Sequence, residues 1–305
     1  MRRIFSFTLL IFGTMALGSA QAQPQILTSI KPLQLIAAAV QDGVGEPDVL
    51  LPVGASAHHY SLRPSDIRRL HQADLFYWIG PSMEGFLVEI LKQRPTGTQA
   101  VQELPDLQLQ YFGDSDHQHD AETDHADAEH KPGSLDAHLW LSSVNARQIA
   151  RRMAEDLSQL DPSHAQTYQD NLAAFIQRLD QLDQRLKQQL TPVADKPFFV
   201  FHEAYNYFEQ VYGLAHRAAF HFSEENTPGA RYVAQLRTQL QDAGPSCLFS
   251  EPPVRPRLAQ SLTQGLPVTL AELDALGGSI PVTAQGYEQL LEQIAQSLSR
   301  CLSTL

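Results

Sequence analysis

The sequence predicts an α/β protein of two lobes, each with a mainly parallel sheet flanked by helices, joined by one long backbone helix. Two observations carry this prediction. Strand-like and helix-like segments alternate in both halves of the 305-residue chain, and a stretch between the halves has the apolar spacing of an amphipathic helix. The chain is 43% hydrophobic and 18% charged, which gives enough apolar material for a sizeable core.

The first half alternates short strands with helices. Pro64 suits a first helical position, because its missing N–H has no intrahelical partner there. The β-α-β-α order indicates a parallel sheet covered by helices. Strands are predicted over residues 25–29, 48–51 and 75–79, and helices over 64–72 and 83–92.

The second half repeats this order, so the repetition lies in the architecture and not in a short sequence motif. Strands are predicted over residues 198–201, 217–222, 247–250 and 267–270, and helices over 204–212, 230–243 and 287–301.

A long helix is predicted between the halves. Asp161 and Pro162 mark its start and Pro192 follows its end. About 27 helical residues would span roughly 40 Å, so the helix could brace both lobes, although it could equally pack without a mechanical role. The expected division is an N-terminal lobe over 23–160, the linking helix over 161–191 and a C-terminal lobe over 192–305. The apolar residues at helical spacing are Tyr168, Leu172, Phe175, Leu179, Leu182 and Leu186.

The N-terminus has the pattern of an export signal. Arg2 and Arg3 precede an almost wholly apolar run over residues 4–17, and residues 20–22 (AQA) fit a signal-peptidase site. Cleavage after Ala22 is predicted, and an uncleaved anchor is the alternative. No other segment is apolar enough to meet a bilayer, which excludes a polytopic membrane protein.

The charge balance excludes a polyanionic partner. Lys plus Arg number 22 and Asp plus Glu number 34, a net charge of −12. Removing the signal peptide removes two positive charges, giving 20 − 34 = −14 for the mature chain. Such a surface repels nucleic acid.

One acidic segment breaks the pattern. Residues 114–129 contain seven acids and no Lys or Arg. So little apolar surface cannot offset chain entropy, and a disordered loop over 114–133 is predicted. Imidazole and carboxylate on a flexible tether suit weak capture of Zn²⁺, and an inert solvated spacer is the alternative. The candidate loop ligands are His117, His119, His125 and His130.

Two cysteines, Cys247 and Cys301, are present. In an exported chain an isolated pair usually forms a disulfide, which here would tie the C-terminal helix to an inner strand. Free buried thiols and zinc ligation are the less favoured alternatives, the latter because thiolate sites normally bring CxxC spacing.

Four further residues are candidate ligands of a tighter metal site. His58 follows a predicted strand, His138 lies where the acidic loop rejoins the fold, and His202 directly follows the strand 198–201. Asp274 follows the strand 267–270. Side chains at the carboxyl ends of parallel strands face the crevice where such sheets bind ligands. Three imidazoles and one carboxylate would suit tetrahedral Zn²⁺. Spacing alone does not establish that they converge.

Several motifs, in order along nearly the whole mature chain, resemble those of the zinc-specific solute-binding proteins of ABC transporters, the ZnuA family. The matching segments are 54–66 (GASAHHYSLRPSD), 78–84 (WIGPSME), 138–142 (HLWLS), 201–208 (FHEAYNYF), 249–252 (FSEP) and 273–277 (LDALG). The two cysteines also match family positions.

The resemblance implies a periplasmic protein, in which a cleft between the lobes binds Zn²⁺ for delivery to a membrane permease, with no catalysis. It implies His58, His138 and His202 as ligands, with Asp274 or water in the fourth position. Ala57 stands where some members have a ligating Glu, and His59 is a rival to His58. A monomer is expected, and a periplasmic metallochaperone is a candidate loading partner.

Three other functions are alternatives to zinc delivery. A manganese or iron carrier of the same fold would favour more carboxylate ligands. A zinc hydrolase would need a general base, for which Glu203 is the obvious candidate, but no HExxH helix is present. An adhesin or periplasmic chaperone could use the same fold, and the sequence does not exclude a second binding role.

Overall fold

The computed structural model describes residues 23–94, 96–113, 131–220, 229–251 and 256–305. The predicted signal peptide and residues 114–130 of the predicted acidic loop lie outside this range. The disorder predicted for residues 131–133 was wrong, because they form a turn in which the Gly133 N–H donates to the Phe112 carbonyl oxygen at 2.7 Å. Within the described residues, no helix combines the length and apolarity required to cross a bilayer.

The N-terminal sheet has four parallel strands in the order β2-β1-β3-β4. From β1 the chain first adds β2 on one side and then β3 on the other, so the strand order reverses between β1 and β3. The carboxyl ends of the strands at such a point are where α/β sheets bind ligands. The strands are β1 (Ile26–Thr28), β2 (Asp48–Val49), β3 (Leu75–Trp78) and β4 (Thr98–Ala100), and the helices are α1 (Lys31–Val40), α2 (Pro64–Gln72), α3 (Val88–Leu91) and α4 (Ser143–Leu160).

The C-terminal sheet has the same topology, with four parallel strands in the order β6-β5-β7-β8. The predicted repetition of architecture is confirmed. The strands are β5 (Phe198–Val200), β6 (Ala218–Ala219), β7 (Ser246–Ser250) and β8 (Val268–Glu272), and the helices are α6 (Asn206–Tyr212), α7 (Ala230–Ala243), α8 (Pro256–Thr263) and α9 (Gly286–Leu302).

The long helix α5 (Ala165–Leu190, 26 residues) connects the lobes. It packs on α1 and α4 of the first lobe and on α6 and α9 of the second. Its buried side chains fall at the predicted spacing, except that Leu172 is only partly buried. Short 3-10 turns flank it at Pro162–His164 and Thr191–Val193.

One hydrophobic core runs through both lobes. It contains Ile26 and Phe76 from the first sheet together with Phe198 and Phe249 from the second. A smaller cluster lies on the other face of the second sheet, between that sheet and helices α7 and α8. The lobes therefore share a packed interior instead of meeting at a solvated hinge.

The predicted disulfide is confirmed. Cys247 on β7 and Cys301 on α9 are bonded, with a sequence separation of 54. The bond ties the C-terminal helix to a central strand of the second sheet.

Some predicted elements were wrong in extent or were missed. In place of a helix over 83–92, a 3-10 turn (Gly85–Leu87) precedes the four-residue helix α3. The buried carboxylate of Glu84 accepts hydrogen bonds from Ser29 Oγ and the Gly80 N–H, which ties this turn to the sheet edge. Helix α1 was missed because nine of its ten residues are buried, which erases the polar face that reveals a helix in sequence. Strand β4 and helices α4 and α8 were also missed.

Candidate metal centre

Three histidines from distant parts of the chain meet at one place. The ring centroids of His58, His138 and His202 lie 5.4 Å (His58–His138), 5.7 Å (His58–His202) and 4.7 Å (His138–His202) apart. One nitrogen of each ring lies within 4.8 Å of the corresponding nitrogens of the others, a spacing that can hold a metal ion. Each ring comes from a different connection: the loop after β2, the segment entering the 3-10 turn Leu139–Leu141, and the residues directly after β5.

The loop that carries His58 is shaped by a local turn. Ser56 Oγ accepts hydrogen bonds from the backbone N–H of His58 (3.3 Å) and of His59 (3.2 Å). Both imidazoles leave the same turn, but His59 is exposed and lies outside the group of three. Ala57, directly before His58, is buried and belongs to the main hydrophobic core.

His138 is the most buried of the three rings, with 2% exposure. Its Nδ1 lies 2.8 Å from Asp136 Oδ1, and its backbone N–H donates to the same oxygen at 3.0 Å. The other oxygen of Asp136 accepts from Asn206 Nδ2 at 3.1 Å. Burial raises the pKa of Asp136 to about 7, against the lowering effect of the hydrogen bonds from His138 and Asn206. A divalent cation beside it would favour the ionised form.

His202 has a carboxylate partner of its own. Its Nδ1 lies 3.1 Å from Glu251 Oε2, and Glu251 Oε1 accepts a short hydrogen bond from the hydroxyl of Tyr205. Burial, and then the charge of Glu251, raise the pKa of Tyr205 well above its usual value. Tyr205 therefore keeps its proton and remains a donor to Glu251.

Asp274 lies outside the group of three histidines. Its Oδ1 accepts from the backbone N–H of Leu276 (3.0 Å) and Gly277 (2.8 Å), and its Oδ2 accepts from that of Gly278 (2.8 Å). The carboxylate thus organises its own loop. The neighbouring Ala275 accepts a hydrogen bond from Trp140 Nε1 at 2.9 Å, which joins this loop to the His138 segment.

Asp136 and Glu251 were not predicted from the sequence. Asp136 lies two residues before His138, so the sequence alone shows that the two are close. Glu251 is 49 residues from His202, and only the pairing of β5 with β7 brings the two together.

Comparison with known proteins identifies the family. A family model described as zinc-uptake complex component A, periplasmic (ZnuA) matches residues 26–301. The chain belongs to the ZnuA family. The high-affinity zinc uptake system protein ZnuA of Yersinia pestis is 38% identical over 292 residues, covering 92% of each chain. Its counterpart in Brucella suis biovar 1 is 33% identical over 305 residues, covering 91% of each.

The fold agrees with this family. A crystal structure of ZnuA superimposes with a TM-score of 0.75 at 23% sequence identity, covering 92% of this chain and 100% of that one. The two-lobed architecture and long helix expected from the ZnuA resemblance are thereby confirmed. The family is one of periplasmic solute-binding components, which is not a class of enzymes.

Proposed function

We propose that the protein captures Zn²⁺ in the periplasm with His58, His138 and His202 and delivers it to the membrane permease of an ABC transporter for zinc import. The convergence of three imidazoles within 4.8 Å carries the proposal. Neutral imidazole nitrogen is a borderline-soft donor that suits Zn²⁺ in tetrahedral sites. The relatives in Yersinia pestis and Brucella suis are named high-affinity zinc uptake proteins, which supports zinc as the cargo.

The decisive experiment is a zinc titration of the purified mature protein against a competing chelator. His58→Ala, His138→Ala and His202→Ala should each weaken zinc binding at least tenfold, or about 1.4 kcal/mol. His59→Ala is the matched control, because His59 leaves the same turn but lies outside the group, and it should stay within about threefold of wild type. Site variants that all bind like wild type would refute the assignment, and so would a loss confined to His59→Ala.

The fourth position is proposed for water or Asp274. Asp274→Asn tests this, because the amide oxygen can keep the bonds to the backbone N–H of Leu276 and Gly277 while the negative charge is lost. A tenfold or greater loss of zinc affinity would place the carboxylate on the metal. An unchanged affinity would leave the position to water.

The choice of zinc over manganese follows from the donor set. Mn²⁺ is a harder ion that prefers carboxylate oxygen, whereas the group of three contains imidazoles alone. Competition between Zn²⁺ and Mn²⁺ should therefore favour zinc strongly. Preferential retention of Mn²⁺ would support the carrier of harder metals instead.

We propose no enzymatic activity. Glu203, the candidate general base of a zinc hydrolase, is 3% exposed, and its charge acts on two other buried groups, Asp136 and His216. A carboxylate buried beside other titratable groups, away from solvent, is poorly placed to activate water on a substrate. Zinc-dependent hydrolysis of a simple ester by the purified protein would overturn this conclusion.

The acidic histidine-rich segment is proposed as a separate, weaker site for zinc, with His117, His119, His125 and His130 as its imidazoles. Deleting residues 116–129 should lower the number of ions bound and leave the tightest site intact. Loss of the tight site would contradict a separate role.

We propose that the protein is exported and that its signal peptide is removed. Cleavage after Ala22 would leave Gln23 as the first residue of the mature protein, and N-terminal sequencing of periplasmic material tests this. A monomer is expected by light scattering. A periplasmic metallochaperone is proposed as a loading partner. If it loads the protein, zinc uptake should be faster when the protein is mixed with periplasmic extract than when a dialysis membrane keeps the extract proteins apart from it.

A further inference from the structure

His138 and His202 each have a carboxylate oxygen next to the ring nitrogen Nδ1. Asp136 lies 2.8 Å from Nδ1 of His138, and Glu251 lies 3.1 Å from Nδ1 of His202. An ionised carboxylate only accepts hydrogen bonds, so Nδ1 is the donor and the lone pair of each ring is on Nε2. Such a partner fixes both the tautomer and the orientation of a metal-binding imidazole.

Each carboxylate is itself held in place by a second group. Glu251 directly follows β7, whose Phe249 pairs with Val200 of β5, so it emerges beside His202. The Tyr205 hydroxyl fixes its second oxygen. Asp136 is fixed in the same manner by the side-chain amide of Asn206.

The three clustered histidines provide no negative charge for a divalent ion, whereas the two carboxylates beside them do. Three neutral imidazoles bring no charge to a divalent ion, Ala57 supplies no carboxylate, and the Asp274 oxygens are bonded to backbone N–H groups. The side chains of Asp136 and Glu251 are 1% and 17% exposed, so water screens their charge only partly. A bound divalent ion favours the ionised form of both carboxylates, and they would then supply two negative charges against the two positive charges of Zn²⁺.

From these observations we infer that Glu251 and Asp136 are positioning residues that aim His202 and His138 at the ion and supply the negative charge that the clustered histidines lack. This inference rests on the proposed zinc site and adds two residues to it. It also explains how a site without a carboxylate in the group of three can hold a divalent cation tightly.

Two variants of Glu251 separate orientation from charge, and a third variant is the control. Glu251→Ala removes both and should weaken zinc binding 10- to 100-fold. Glu251→Gln keeps an oxygen that can accept from Nδ1 but removes the charge, and its loss should be smaller. Glu155→Gln is the control, because it removes an exposed carboxylate on α4, about 18 Å along the helix from its start. It should bind zinc like wild type.

Cobalt provides a readout that a merely structural role would not move. Co²⁺ bound in place of zinc reports the geometry of its ligands through its visible absorption bands. Glu251→Gln should keep the wild-type spectrum, because the His202 ring keeps its orientation, whereas Glu251→Ala should shift or weaken the bands. Asp136→Asn extends the test to His138 and should reduce zinc affinity in the same range as Glu251→Gln.

The outcomes distinguish this inference from the proposed function. Wild-type protein that fails to bind zinc refutes the proposed function itself. Wild-type protein that binds zinc tightly, together with Glu251→Ala and Glu251→Gln both within threefold of it, refutes the inference alone. A wild-type cobalt spectrum in Glu251→Ala would remove the orienting role.

Discussion

Reduction of the Cys247–Cys301 bond should lower the free energy of unfolding by about 4 kcal/mol. The crosslink closes a loop with a sequence separation of 54. In the chain-entropy model, such a loop restricts the unfolded chain by about 14 cal/mol/K, or about 4 kcal/mol at 25 °C. Reduction adds only two hydrogens, so this comparison avoids the cavity that a truncated side chain would leave at buried Cys247.

Urea unfolding of the mature protein, with and without a phosphine reductant, measures the difference by circular dichroism. The Cys301→Ala variant is the control, because the reductant should have no effect on it. Equal unfolding free energies of the oxidised and reduced protein, within about 1 kcal/mol, would refute the reasoning.

Zinc affinity should survive reduction. Cys247 lies four residues before Glu251, so the bond joins β7 about 13 Å from the end that carries the site. A large loss of affinity in the reduced protein would show that the crosslink also sets the position of that carboxylate.

Other outcomes follow from packing and charge. Arg178→Ala removes the guanidinium that lies 2.5 Å from the buried Glu288 and should cost about 2 kcal/mol of unfolding free energy. Arg185→Ala breaks a more exposed pair on the same helix and should cost under about 1 kcal/mol; equal losses in urea titrations would contradict this ranking. Burial raises the pKa of Glu84 to about 7, so the folded state binds a proton that the unfolded chain has already released, and the unfolding free energy should fall as pH rises from about 5 to 8. Glu84→Gln, which resembles the protonated side chain, should reduce this pH-dependent loss of unfolding free energy by up to about 3 kcal/mol. Urea titrations from about pH 5 to 8 measure it, and the same pH dependence in the variant and the wild-type protein would refute the reasoning. Zinc binding should be weaker at about pH 5 than near neutrality, because protons compete for imidazole nitrogen; equal affinities in the chelator titration would argue against a site of three histidines.

Local sequence signals predicted most of the architecture. The alternation of strands and helices gave both parallel sheets, and the spacing from Tyr168 to Leu186 gave the long helix, because these signals depend on neighbours within a few residues. Helix α1 escaped because a helix buried on all sides has no polar stripe. The helix predicted over 83–92 was too long because Glu84, near its start, is hydrogen-bonded to Ser29 at the end of another strand, a contact that no local window of sequence contains.

In the candidate site, too, local sequence signals predicted some residues, whereas other contacts depend on the folded sheet. Strand ends suggested where His58 and His202 lie, and the family motifs supplied the grouping with His138. The partnership of His202 with Glu251 depends on which strands are neighbours, which is a property of the folded sheet. The backbone bonds of Asp274 likewise depend on the local turn after β8.

The shared interior of the two lobes bears on how an ion is unloaded. Swinging the lobes apart would bring core side chains into water at about 25 cal/mol per Å² of apolar surface, a penalty that grows quickly along the length of α5. His58, in contrast, is carried by a half-exposed turn outside the regular elements. We expect zinc to depart when this turn is drawn aside, so that a transporter has to displace one imidazole and not separate two domains.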